Sequence, residues 1–148
     1  MKKIFTLLLL IGVLGSYAQS PMTSASTPTA PSSEVISIYG QSYSNLTTVN
    51  IYPNWSQATS YSEFTLSTDT MIQYSSLNYQ GIDFGADLNL ATKTTVHFDI
   101  WTSNVNEIDI YLISKTTGEK PVRQPLNANS WTTVDIDMSA YTAQALGV

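Results

Sequence analysis

Three segments of this chain alternate apolar and polar residues with a period of two, which side chains can satisfy only on a strand with one buried face. Val96, Phe98 and Ile100 form the apolar set of the first, Ile108, Ile110 and Leu112 that of the second, and Val134, Ile136 and Met138 that of the third. No window keeps up the three-to-four-residue apolar period of a helix, and the best helical candidate is Ser139 to Leu146. Short runs of β-branched and aromatic residues, separated by Gly, Asn, Ser, Thr and Asp, extend the strand signature back to Glu34. The pattern predicts strands near Val35–Tyr39, Thr48–Tyr52, Tyr61–Leu66, Met71–Tyr79, Thr94–Thr102, Glu107–Ser114 and Trp131–Met138. Several short antiparallel strands with one apolar face each call for two packed sheets, an all-β sandwich.

The ends of the chain read differently. Lys2 and Lys3 precede the apolar run Ile4–Leu14, and Ser16-Tyr17-Ala18 offers small residues where a signal peptidase reads, so residues 1–18 are expected to be a cleaved export signal. The run falls short of the roughly 20 apolar residues of a membrane span, and no second such run follows, so the expected product is secreted or extracytoplasmic and free of the membrane after cleavage. Residues 19–33, QSPMTSASTPTAPSS, contain Pro21, Pro28 and Pro31 among small polar residues and read as a linker. Residues 34–148 form the sandwich module. That module is expected to be C-terminally truncated, because the chain reaches Ala145-Leu146-Gly147-Val148 without a closing strand after the Trp131 segment.

Composition narrows the chemistry. The chain has no cysteine, so neither disulfides nor thiolate chemistry enter. Removing residues 1–18 leaves Lys93, Lys115, Lys120 and Arg123 against 11 carboxylates, a balance that argues against phosphate backbones and anionic lipid surfaces. Catalysis has little to stand on: the single histidine, His97, lacks a nucleophile elbow anywhere in the chain, and the acid pairs Asp135/Asp137 and Asp99/Asp109 sit on outward strand faces where carboxylates are ordinarily solvated. The chain is therefore expected to be no enzyme. A structural calcium ion would suit Asp83, Asp87 and Glu34, yet no D-x-D-x-D-G loop marks a site, and no metal ligand is assigned.

The positive signal is aromatic. Trp55, Trp101 and Trp131, with Tyr43, Tyr52, Tyr74, Tyr79 and Tyr111, stand among Asn, Gln, Asp and Thr. Sugar rings pack their C–H faces on aromatic planes while their hydroxyls seek carboxylate and amide partners. The candidate carbohydrate-binding residues are Trp55, Tyr79, His97, Asp99, Trp101, Asp109, Tyr111 and Trp131. Taken singly, each ring is more at home in the core of a thin sandwich; the case rests on the group.

Tyr52-Pro53-Asn54-Trp55, Leu77-Asn78-Tyr79-Gln80-Gly81-Ile82-Asp83-Phe84 and His97-Phe98-Asp99-Ile100-Trp101-Thr102, in this order, resemble a β-jelly-roll module similar to galactose-binding-like and carbohydrate-binding domains of secreted multidomain bacterial proteins, often beside family 16-type glucanase domains. The resemblance implies a jelly roll over Glu34 to Val148, carried by a polysaccharide-degrading parent, with a β-glucan-like polysaccharide or a cell-surface glycan as partner. The competing expectation is a structural or adhesive β-sandwich of a large surface protein, with the aromatics in its core.

Overall fold

The computed structural model describes residues 19–147; the expected export signal and Val148 lie outside the described residues. The fold is all-β, with strands β1 (Ser60–Leu66), β2 (Asp69–Ser75), β3 (Thr95–Thr102), β4 (Glu107–Ser114), β5 (Gly118–Pro125) and β6 (Ser130–Asp137) and one helical turn, α1 (Ser139–Thr142). Among the described residues no helix is long and apolar enough to cross a membrane.

The strands pair two by two, all antiparallel: β1 with β2, β3 with β6, and β4 with β5. The β4–β5 hairpin is thus an excursion between the two members of the β3–β6 pair. Two-stranded units are marginal alone, and the β3–β6 and β4–β5 pairs share an apolar surface. Leu126, Val134, Ile136, Met138, Tyr141 and Leu146 supply it, and Val96, Phe98 and Ile100 of β3 pack on it together with Ile108, Ile110 and Leu112 of β4 and Val122 of β5. The alternation in β3, β4 and β6 therefore identifies the core. Tyr141, fully buried, reaches across to donate its hydroxyl to the Ile110 carbonyl at 3.3 Å, which ties α1 to β4.

Departures from the expected strands have local causes. Val35–Tyr39 and Thr48–Tyr52 contribute single bridges, Ser37 with Asn45 and Asn50 with Asp83, in place of strands. Side chains there compete for the backbone: Asn45 Nδ2 donates to the Gly40 carbonyl at 2.9 Å, and Asn50 Oδ1 accepts the Tyr52 N–H at 3.0 Å. The expected strand Met71–Tyr79 ends at Ser75, where Ser76 takes φ +52°. α1 stops well short of Leu146, and Ala145 closes the segment in the left-handed region at φ +63°.

Strand β5 was not expected, because Pro121 and Pro125 interrupt its pattern and proline cannot donate to a ladder. It forms because it has one partner only, so the proline nitrogens need face no second strand. Gly118 opens it at φ +75°, closing a three-residue turn from Ser114 in the left-handed conformation that such hairpins require.

Since the β3–β6 and β4–β5 pairs share this core, its loss should be felt in both. Ile136→Ala, at a position 3% exposed, is expected to lower unfolding free energy by about 2–5 kcal/mol. Ile113→Ala, at a position 55% exposed, should stay within about 0.5 kcal/mol of the parent. Urea unfolding followed by circular dichroism checks both.

Candidate functional site

With Val96, Phe98 and Ile100 turned inward, the alternate residues of β3 face out, and the β6 register places a partner beside each. Trp101 stands opposite Trp131, Asp99 opposite Thr133, His97 opposite Asp135, and Thr95 opposite Asp137. The result is a stripe running from an aromatic pair to a polar ladder. Within the ladder Thr133 Oγ1 donates to Asp99 Oδ1 at 2.6 Å, His97 Nδ1 lies 2.7 Å from Asp135 Oδ1, and His97 Nε2 lies 3.8 Å from Asp99 Oδ2. Acceptor oxygens of Asp99 and Asp135 are thus held in place beside the rings.

At the aromatic end lies an open depression of about 550 Å³. It is lined by Trp101, Asn129, Ser130 and Trp131 together with Gln19, Ser20, Met22 and Thr23. No lining side chain is charged. Asn129 adopts φ +61° and donates its N–H to the Thr102 carbonyl at 2.6 Å, so the chain enters β6 with Trp131 already aligned on Trp101. The indole Nε1–H of Trp131 donates to the Thr23 carbonyl at 2.7 Å.

The remaining candidates lie elsewhere. Asp109 and Tyr111 belong to β4, in a different pair from β3, so Asp99 and Asp109 are not neighbours across a ladder. β3 and β4 both pack apolar residues on one cluster but belong to different pairs, so the outward candidates divide between two strand pairs. Arg123 grips Asp109 with a fork, Nε to Oδ1 at 2.8 Å and Nη2 to Oδ2 at 2.9 Å, and its Nη1 reaches Glu107 Oε1 at 3.0 Å. These hydrogen bonds hold the Asp109 carboxyl below the ordinary carboxylate range, and both of its oxygens are already engaged.

Trp55 and Tyr79 form a third locus, on loops. The Trp55 ring lies against Gly81 so closely that a Cβ there would fall 1.8 Å from Cζ3, and the side chain is still 44% exposed as a residue. Tyr79 donates its hydroxyl to the Trp55 carbonyl. Gly81 is therefore the residue that lets this ring lie flat.

Asp83, Asp87 and Glu34 are engaged separately: Asp83 Oδ1 accepts the Gly85 N–H at 2.8 Å, Asp87 pairs with Lys115 at 2.7 Å, and the Glu34 carbonyl accepts from Lys93 Nζ at 2.8 Å. Among the described residues no three acidic or histidine side chains gather into a metal-holding group.

The sequence pattern missed a tyrosine cluster on the β1–β2 hairpin. Tyr61 faces Tyr74 across the ladder with ring centroids 6.2 Å apart, and Tyr52 stacks on Tyr61 at 5.5 Å. The placement of Tyr61 and Tyr74 on either side of the Ser67-Thr68 turn was the available signal. Burial pushes the Tyr74 hydroxyl up to about 12; burial, followed by the Glu63 carboxylate, does the same to Tyr39. Comparison with protein-family models, with characterised proteins and with solved structures finds no match to the chain.

A raised tyrosine pKa means that the fold favours the neutral phenol. Its contribution is present in full below the unfolded value of about 10 and is lost as pH rises through about 12. An alkaline titration of tyrosinate absorbance should show a late-ionising class that shrinks in Tyr74→Phe. Gly81→Ala should expel the Trp55 ring, seen as a change in tryptophan emission that is absent when the substitution is made in a Trp55→Phe background.

Proposed function

We propose that this chain is a non-catalytic glycan-binding module, a β-sandwich of jelly-roll type that serves an exported polysaccharide-degrading protein by holding it on its substrate. The observation that carries the reading is the directly opposed Trp101–Trp131 pair on the outward face of β3–β6, at the edge of an open depression of about 550 Å³. That volume lies in the range of small-molecule sites, roughly 300–1,000 Å³. Two indoles at opposed ladder positions offer aromatic surface for the C–H faces of one or two sugar units. Next along the stripe, Asp99 and Asp135 provide acceptors and His97 a ring nitrogen for hydroxyls.

Charge narrows the ligand. No side chain lining the depression is charged, the adjoining ladder is acidic, and the chain carries a net charge of −5. Uronate and sulfate groups would be repelled by the ladder, so a neutral polysaccharide of β-glucan type is the class of partner. Asp109, gripped by Arg123, falls outside the site, as does Tyr111 on the other outward face.

A second reading, a structural or adhesive domain, draws on how firmly some candidates are tied into the fold: Trp55 against Gly81, Asp109 to Arg123, Trp131 to Thr23. The two readings part on binding. In affinity gel electrophoresis against a polysaccharide panel, a neutral glucan is expected to retard the parent selectively. Trp101→Ala and Trp131→Ala should each weaken retardation about tenfold or more, equal to about 1.4 kcal/mol, while Tyr111→Ala binds as the parent does. Undiminished binding in both tryptophan variants would move the site; a folded parent that no polysaccharide retards would support the structural reading.

A further inference from the structure

The face of a two-stranded antiparallel pair is shallow, because its outward side chains stand side by side in rows. Concavity beside Trp101 and Trp131 must come from another part of the chain. Residues 19–23, more than a hundred positions before Trp131, help to enclose it. Gln19, Ser20, Met22 and Thr23 line the depression together with the two tryptophans.

Two side chains of the strand region reach out to hold the segment that follows the expected cleavage site. Trp131 donates its indole N–H to the Thr23 carbonyl at 2.7 Å, and Tyr43 donates its hydroxyl to the Ala30 carbonyl at 2.8 Å. Both acceptors are backbone atoms, so the contact does not depend on which side chains the segment carries at those two positions. The segment has no strand or helix of its own before the short 3-10 turn at Ser32–Glu34; these donors give it a fixed course. The Thr23 contact also orients the Trp131 ring, since an indole donor satisfied at one end has lost its freedom to turn toward solvent.

The chemistry of this second wall matches that of the first. Gln19, Ser20 and Thr23 carry neutral donors and acceptors. Met22 is 90% exposed at the rim beside two tryptophans, a flexible apolar side chain with nothing covering it. A sugar stacked on the indoles would meet Met22 with a C–H face and the polar side chains with hydroxyls.

We infer that residues 19–23 are the second wall of the glycan site and help determine which sugar it takes, rather than serving as a passive tether. The inference rests on the glycan-binding reading above and adds a part of the chain to the same site. In consequence, the binding unit begins at Gln19 and not at the first strand.

The test compares the chain beginning at Gln19 with one beginning at Ser24, using two independent readouts. The first is the indole N–H resonance of Trp131, assigned by its disappearance in Trp131→Phe. Deletion is expected to shift it and speed its exchange with solvent while the Trp55 resonance stays put. The second is retardation by the neutral glucan that binds the parent most strongly, expected to weaken at least tenfold in the shortened chain with its melting temperature unchanged. A shifted resonance with equal or tighter glucan binding overturns the second wall and leaves the glycan reading standing. An unshifted resonance overturns the contact itself. A parent that binds no glycan overturns the glycan reading and the wall with it, an outcome told apart from the others because the resonance still reports whether the segment docks.

Discussion

Val134, Ile136 and Met138 alternate with Asp135 and Asp137 along one stretch of chain, and burying the first set commits the second to solvent. Most of the molecule follows from that division. The three apolar side chains are the common surface on which β3, β4, β5 and the Tyr141 turn close, and with no disulfide in the chain this surface is what joins elements that are individually too small to persist. The register is fixed by the same cause, because a slip of β6 by one residue along β3 would turn Asp135 into the core and expose Ile136. Core packing thereby sets the outward ladder too: Trp101 meets Trp131 because Phe98 meets Val134.

The candidate site thus inherits its geometry from the core without sharing residues with it. Outward side chains on a well-specified pair can be changed with little effect on packing, while their mutual positions stay fixed by the backbone beneath them. Such separation is useful for recognition of a neutral polymer, where orientation of a ring plane matters more than charge. The acidic ladder adds direction along the stripe, aromatic at one end and hydrogen-bonding toward the other, so a sugar chain would meet different chemistry at its successive units.

What the sequence disclosed and what it withheld divide along physical lines. Alternation identified β3, β4 and β6 and every inward residue on them, because a half-buried strand writes its burial into the order of its side chains. It did not say which strands pair. His97, Asp99 and Trp101 belong with Trp131, whereas Asp109 and Tyr111 belong to another surface, and that partition is a matter of topology that period-two patterns do not encode. β5 stayed hidden behind Pro121 and Pro125, residues that only an edge position tolerates. Val35–Tyr39 and Thr48–Tyr52 have strand composition, but Asn45 and Asn50 draw backbone groups away from a ladder. The short segments around Trp55, Tyr79 and Trp101 that carry the jelly-roll resemblance do not say how these rings lie relative to one another.

The segment at residues 19–23 shows the limit most clearly. Its composition is that of a linker, too poor in large apolar groups to order itself, and on that ground alone it has no part in a site. Yet order can be supplied from outside. A half-buried indole needs an acceptor for its N–H, and the backbone carbonyl of Thr23 meets the need. A carbonyl is present at every residue, so the contact leaves no mark on composition. A disorder-prone sequence beside a half-buried tryptophan is therefore weak evidence of a free tether, and the boundary of a module is better drawn where side-chain donors stop finding backbone than where the composition changes.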